Sequence, residues 1–313
     1  MLLGPDPRNY QILFLSLFLI LGIGTRDWTL RLDLILVVML TCILAQVLGL
    51  FWGSIYQRKL VNLGKEPENF FTQISANITQ SPKAISLKSA MITALSLSLL
   101  LRADHYSTMI LAGSIAIFSK FVFQVGGKHF FNPANFGIIA VLILTNDAWV
   151  SPGQWGDDGW YALLFAGTGG MVLKRVGRWD TTAAFLGVYT LLEAIRNVWL
   201  GWTWDVFGHR LMSGSLLLFA LFMITDPRSI PNARISRLIW AGCIAILTFI
   251  LRNYFFVSTA VFWALFVLAP LTVLLDFIWS SPRFSWNQTS EQDSNKSMEI
   301  ELMTDNIEPY FKA

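Results

Sequence analysis

Gly126-Gly127-Lys128-His129-Phe130-Phe131-Asn132-Pro133-Ala134-Asn135-Phe136-Gly137 interrupts an apolar chain with glycines, a cation, two amides and a proline. A second interruption, Thr225-Asp226-Pro227-Arg228-Ser229-Ile230-Pro231-Asn232, lies in the other half of the sequence. Hydrocarbon offers backbone N–H and C=O groups no water. Gly and Pro at membrane depth are therefore tolerated only where protein or a polar cavity satisfies the freed groups. In transporters, discontinuous helices of this kind line the binding site near the bilayer midplane. The two breaks predict a polytopic membrane protein with its site where they occur.

Composition agrees. Of 313 residues, 54% are hydrophobic and only 14% charged, where a soluble domain is about a quarter charged. The surplus apolar residues must face lipid. A net charge of +3 is too small to point to nucleic acid. Ten apolar stretches follow one another, at 11–24, 34–52, 85–101, 106–123, 134–149, 159–173, 181–200, 211–224, 235–251 and 258–278. Several are shorter than the roughly 20 residues that cross a bilayer, so they extend into their flanks or stop within the bundle. The first follows a single Arg and has no small-residue cleavage site, which reads as a retained helix rather than a signal peptide.

Ten spans put alternate loops on opposite sides. The side holding the N-terminus carries sixteen Lys and Arg residues and the other five, with Lys120 and Arg196 inside spans. The positive-inside rule then places both termini in the cytoplasm. Five spans per half is an odd number, so the second half enters the membrane inverted. The expected fold is an all-α integral membrane protein of about ten transmembrane helices in two inverted five-helix repeats, at about 10–150 and 159–279 of a transmembrane domain 1–280. Ser89 to Lys128 and Ser213 to Arg252 share a spacing of 39, and an offset of 124 brings Phe130 and Phe131 onto Tyr254 and Phe255. Chance register between two apolar stretches is the rival reading.

Two stretches are not membrane core. Residues 53–86 form a cytoplasmic connection, in which Phe70, Phe71, Ile74 and Ile78 share the face expected of an interfacial helix. Residues 281–313 are polar and acid-rich and are expected to be a disordered tail. A cytoplasmic location makes the glycosylation-type sequences at Asn77 and Asn287 irrelevant.

The candidate site residues lie at the breaks. Lys128, Asn132 and Asn135 in the first offer an ammonium and two amides to a flavin or an ion, although Asn is also a favoured helix N-cap. Thr225, Asp226 and Arg228 are their counterparts in the second, where a turn and the positive-inside bias are the plainer readings. Glu193 and Arg196 are the one pair of opposite charges deep in a span, and a charge there costs roughly 2.5–3.5 kcal/mol on insertion scales. They mark an ion path, or they simply pair at their i, i+3 spacing. Arg196 could also snorkel outward, and Lys120 is expected to do so. Two cysteines, Cys42 and Cys243, cannot ligate an iron–sulfur cluster alone, and His105, His129 and His209 lack metal spacing. No metal is expected, and no phosphate-binding glycine fingerprint for NADH follows a strand. The many Trp residues near span ends read as an interfacial belt; Trp202 and Trp204 beside Asp205 are the exception that invites a quinone or flavin.

At the two breaks the chain resembles a known family: the NqrB membrane subunit of the sodium-pumping NADH:quinone oxidoreductase and the RnfD membrane subunit of the Rnf electron-transport complex. The resemblance rests on Gly126-Gly127-Lys128 leading to Phe131-Asn132-Pro133-Ala134, on Ser213-Gly214-Ser215 leading to Thr225-Asp226-Pro227-Arg228, and on Ser89-Ala90-Met91-Ile92-Thr93-Ala94-Leu95. It covers about 82–278. It implies a flavin-binding membrane subunit of a complex that couples electron transfer to movement of Na⁺ or H⁺, in the cell inner membrane, with other Rnf- or Nqr-like subunits, or further copies of itself, and quinone as partners. Family members with covalent FMN attach it to a Thr in a Ser/Thr-Gly-Ala-Thr motif between the fifth and sixth spans. Here 151–159 lacks that motif, and Ser213-Gly214-Ser215 is only a partial look-alike. The expectation is therefore a non-covalent flavin, FMN or riboflavin, and no covalent FMN. The leading Asp6-Pro7-Arg8-Asn9-Tyr10-Gln11 looks more like shorter stand-alone members, some associated with enediyne natural-product clusters. Two other readings stay open: a non-redox ion or small-metabolite transporter on the same scaffold, and an accessory membrane protein of natural-product biosynthesis.

The charge asymmetry makes a direct prediction. Reporter fusions at the C-terminus and within 53–86 should read cytoplasmic, and one within 151–160 external; an external C-terminus would overturn the five-plus-five arrangement.

Overall fold

A computed structural model describes residues 6–25, 31–62, 87–151 and 159–284. The expected interfacial helix at 70–78, nearly all of the 151–159 loop and the tail beyond 284 lie outside the described residues. The chain opens with α1 (Pro7–Thr25), α2 (Leu32–Asn62), α3 (Leu87–Leu100), α4 (Tyr106–Val122) and α5 (Pro133–Leu144). It continues through α6 (Gly159–Val176), α7 (Trp179–Trp199), α8 (Trp204–Leu211) and α9 (Gly214–Leu218), which runs on as a π-helical turn at Phe219–Met223. The last three helices are α10 (Arg234–Asn253), α11 (Ala260–Leu268) and α12 (Leu271–Ile278).

Two ribbons join these helices, β1 (Leu101–Ala103) with β4 (Ala148–Val150) and β2 (Gln124–Val125) with β3 (Lys128–His129), both antiparallel. At two or three residues per strand they are too short to leave an alternating pattern in an all-helical reading.

Among the described residues, three helices are long and apolar enough to cross a membrane: Pro7–Gly24, Leu32–Trp52 and Arg234–Asn253. The number rises to five if each of two bent pairs is one span. In the first pair, α8 meets α9 and its π-helical continuation at 52°; in the second, α11 meets α12 at 47°. The second bend falls at Pro270, whose ring removes a backbone donor. Helices α3, α4 and α5 are shorter apolar segments.

The exposed surface identifies the solvent. On α2, Leu34, Ile35, Val38, Cys42 and Ala45 are buried, while Leu36, Leu40, Leu44 and Leu48 stand exposed on the other side. A helix in contact with water would carry polar residues there; one apolar all round belongs in a core or in lipid. The same holds for Leu191, Ile195 and Val198 on α7. These faces, with the apolar spans, make this a membrane protein.

Small residues set the inner spacing. Helix α2 packs on α4, α4 on α5, α1 on α3, α7 on α10 and α10 on α11. Gly137 of α5 lies so close to α4 that an added Cβ would stand 2.7 Å from the Ala112 carbonyl oxygen and 2.8 Å from the Ala116 Cβ. Such close approach is how helices associate where lipid supplies no hydrophobic drive.

Gly137→Ala should therefore lower stability by about 1–3 kcal/mol, the usual cost of overpacking, in unfolding measured in detergent. Gly170→Ala on α6, whose added Cβ meets nothing within 4 Å, should be neutral or slightly stabilising in the same assay.

Candidate functional site

The two breaks face one another. In the first, Gly126 (φ +57°) and Gly127 (φ +78°) form the tip of the β2–β3 hairpin. Two consecutive left-handed residues are what a two-residue hairpin turn requires, and glycine adopts them without strain. The hairpin carries Lys128 and His129 toward the second break. Lys128 Nζ donates to Asp276 Oδ2 at 2.7 Å, to Asn232 Oδ1 at 3.2 Å and to the Ile230 carbonyl. The other Asp276 oxygen accepts the Asn232 backbone N–H at 2.7 Å.

Three further contacts cross between the breaks. Asn132 Oδ1 caps α5 by accepting the Asn135 N–H at 3.1 Å, as expected of an Asn before an N1 proline. Its amide Nδ2 donates to the Met223 carbonyl at 3.2 Å, so one side chain both caps its helix and ties it to the π-helical turn. His129 Nε2 lies 3.6 Å from Asp226 Oδ2. Arg228 Nη2 donates to the Gly127 carbonyl at 3.4 Å. A fourth bond runs from Asn135 Nδ2 to the Phe262 carbonyl on α11, at 3.1 Å.

Where the breaks meet, they leave a cleft of about 70 Å³. Of the sequence-predicted residues, Asn132, Thr225, Asp226 and Arg228 line it, while Lys128 and Asn135 do not. Lys128 is spent on the latch beside it, and Asn135 on α11. The other polar side chains in the wall are Arg8 and Gln11 from α1, Ser89, Thr93 and Ser96 from α3, and His129. Ser89 and Thr93 stand one helical turn apart in the run that carries part of the family resemblance, and that run is the signal for them. Arg8 and His129 have no such signal, because their importance depends on what they face.

Cations outnumber carboxylates in and around the cleft, with Arg8, Lys88, Lys120 and Arg228 against Asp6 and Asp226. Arg8 is paired with Asp6 at 2.9 Å, and Lys88 reaches the same carboxylate at 2.8 Å. Burial raises the Asp6 pKa, but hydrogen bonds from Arg8 and Lys88 outweigh it and hold the group at about 2, so Asp6 is ionised near neutral pH. Behind Ser89 sits Lys120. The outward snorkelling expected of it does not occur: its side chain is only 7% exposed and turns inward, because α4 packs against α2 on one side and α5 on the other. Its ammonium donates to the Ser89 carbonyl at 3.3 Å and to Ser89 Oγ at 3.1 Å.

Glu193 and Arg196 do not pair with each other. Glu193, 2% exposed, accepts from Arg210 of α8 at 3.0 Å, from Asn253 of α10 at 2.8 Å and from the Tyr189 hydroxyl at 3.0 Å. Arg210 also donates to Asn253 Oδ1 at 2.7 Å, and Arg252 to the Tyr189 hydroxyl at 2.9 Å. Arg196 instead lies over the Trp202 ring, 4.6 Å from its centroid, with Arg210 at 5.2 Å from the same ring. The structure thus keeps Glu193 in a buried polar centre at the far end of the bundle from the breaks, and exchanges its expected partner. No group of three or more metal-ligating side chains occurs among the described residues.

Broken apolar helices that converge on a cleft with polar side chains in its wall define an integral membrane protein. A family model described as the NQR2, RnfD, RnfE family matches residues 144–285, which include the second break and not the first. The RnfD protein of the ion-translocating oxidoreductase complex from Halorhodospira halophila is 27% identical over 126 residues, covering 40% of this chain and 35% of that protein. The proteins of that name from Actinobacillus pleuropneumoniae serotype 5b and Haemophilus ducreyi are 29% and 30% identical, over 40% of this chain and 37% and 36% of theirs. The match spans a little over a third of the length of these relatives. These similarities, of which the family match covers the second half of the chain, support its assignment to the NqrB/RnfD family.

The latch makes a specific prediction. Lys128→Met leaves Asp276 largely buried without its cation and should cost about 3–5 kcal/mol, the range for breaking a buried pair from one side. Lys128→Met combined with Asp276→Leu should recover part of that loss in a detergent unfolding assay; strictly additive losses would mean the two side chains are not coupled.

Proposed function

We propose that this chain is the membrane subunit of an electron-transport complex of the ion-translocating oxidoreductase type, and that it binds flavin non-covalently where its two breaks meet. The observation that carries the reading is the meeting itself. Residues 93 positions apart, Asn132 and Thr225, line one cleft in a chain whose second half matches the family. The relatives are named as subunits of such a complex, and their partnership with other subunits extends here to this chain. Asn132, Asp226 and Arg228 are the residues that touch the ligand. Lys128 and Asn135 position them by holding the breaks together.

The scaffold in this reading is ten spans in two inverted repeats, in the cell inner membrane, with both termini in the cytoplasm. Helix packing supports it. The pairs α1–α3, α2–α4 and α4–α5 in the first half have counterparts α6–α9, α7–α10 and α10–α11 in the second. The cleft lies on the side rich in Lys and Arg, while Glu193 lies toward the other. Glu193 serves the path of the translocated cation, Na⁺ or H⁺, with Arg210 rather than Arg196 as its partner.

A non-redox carrier on the same scaffold is favoured by one observation, the size of the cleft. Pockets that bury a drug-sized ligand run to roughly 300–1,000 Å³, and this one is about 70 Å³. The absorption spectrum of the full chain purified in detergent separates the two readings. Flavin bands that are released by denaturation, and weakened by Asp226→Asn without a matching loss of thermal stability, are expected; Asn132→Ala should weaken them too while also lowering stability by about 0.5–2 kcal/mol, because Asn132 caps α5. A colourless protein that gains no flavin on incubation with FMN or riboflavin would leave the carrier reading. The two substitutions should also be non-additive in flavin retention, because both side chains border one ligand.

A further inference from the structure

We propose that the cleft between the breaks is an anion site, built to hold a phosphate group of its ligand. This rests on the cleft being the ligand site of the proposed function, but not on that ligand being a flavin.

The first observation is an excess of cations over carboxylates. Arg8 and Lys88 share Asp6, while Arg228 and Lys120 share the field of Asp226, which also faces His129. Four fixed cations thus meet two carboxylates. Arg228 lines the cleft with its side chain exposed, and the hydrogen bond seen from its guanidinium goes to a carbonyl rather than a carboxylate, at 3.4 Å. Lys120 is buried, and among the described residues no carboxylate lies within ion-pair distance of it. Buried charges are ordinarily paired or coordinated, because leaving an ion uncompensated away from water is costly. The ammonium of Lys120 sits directly behind the cleft wall, where an anion would supply what the protein does not.

The second observation concerns hydroxyl direction. Ser89 Oγ accepts from Lys120 Nζ at 3.1 Å. A serine hydroxyl has one hydrogen to give, and with its oxygen occupied by an ammonium that hydrogen is free to point into the cleft that Ser89 lines. The cation behind it polarises the O–H bond. Thr93 and Thr225 differ, because both direct their hydroxyl hydrogens to backbone carbonyls, of Ser89 and Leu221. The serine is thus the donor.

Helix direction adds to both. Helices α1, α3 and α5, of 19, 14 and 12 residues, all begin beside the cleft, with Arg8, Ser89 and Pro133 in its wall. Each N-terminus carries the positive end of a helix dipole, and such ends favour phosphate. Size selects the group. A water needs roughly 10–15 Å³ on this measure, so 70 Å³ is room for about five waters or one phosphate, with the rest of the ligand beyond the mouth.

The phosphate could belong to a phosphomonoester such as FMN or to a lipid headgroup. The test uses the full chain in detergent, with inorganic phosphate, FMN and riboflavin as probes, read by calorimetry and thermal shift against chloride at matched ionic strength. Phosphate should stabilise the protein and compete with FMN, and riboflavin should bind more weakly than FMN. Arg228→Gln and Ser89→Ala should each weaken phosphate binding about tenfold, as expected for a lost hydrogen bond to a charged group. Arg228 is exposed, so its variant should fold even if Ser89→Ala does not. A phospholipid found by mass spectrometry of the purified protein, lost in Arg228→Gln and blocking phosphate until removed, would support the site and name the headgroup as the source. Riboflavin binding as tightly as FMN, unmoved by phosphate or by Arg228→Gln, would overturn the anion site while leaving the flavin reading standing. Phosphate binding without any flavin binding would do the reverse. No response to phosphate, FMN or lipid would remove the site altogether.

Discussion

The fold turns on one ammonium. Lys128 has three N–H bonds, and the second half of the chain accepts all three, at Asp276, Asn232 and the Ile230 carbonyl. The carboxylate's other oxygen closes the circuit on the Asn232 backbone. A largely buried ion pair is stabilising only when its remaining hydrogen-bonding positions are filled, and here they are. The consequence is geometric. The hairpin of the first break, the loop of the second and the last helix are fixed to each other at a single point, and every other contact across the breaks lies close to it.

That point also explains why irregular backbone is tolerated beside apolar helices. The Met223 carbonyl, at the end of a π-helical turn, is taken up by the Asn132 amide. The Phe262 carbonyl near the start of α11 is taken up by Asn135. Each amide answers a carbonyl that hydrocarbon could not. The two asparagines therefore differ in placement: Asn135 is buried in this bonding, while Asn132 does the same work and still borders the cleft.

The breaks are legible in the sequence because their signals are local. Gly126-Gly127 demands a left-handed turn, Asn132-Pro133 a capped helix start, and Thr225-Asp226-Pro227 a stop. What Lys128 reaches is not legible, since Asp276 lies 148 positions away and no periodicity links them. The pairing of Glu193 with Arg196 fails for a related reason. Helical spacing permits it, but Trp202 captures Arg196 and the bend between α8 and α9 delivers Arg210 instead. Lys120 departs from expectation because snorkelling assumes an open flank, and α4 has neighbours on both. Pro270 is a local signal for the bend between α11 and α12, although the apolar stretch 258–278 around it reads as one span.

Helices α7 and α10 are pinned to each other twice. Near the breaks, the Arg237 guanidinium grips Asp180, with Nη2 to Oδ2 at 2.6 Å, while its Nη1 holds the Asn232 carbonyl at 2.6 Å. At the far end Asn253 grips Glu193. Asp180 and Glu193 are thirteen residues apart, about 20 Å along a helix. Two helices joined by buried polar contacts at both ends of such a length resist sliding, because any shift would strip a charge of its partner. The pair is a strut, and through Asn232 it is fastened to the same loop that holds Lys128.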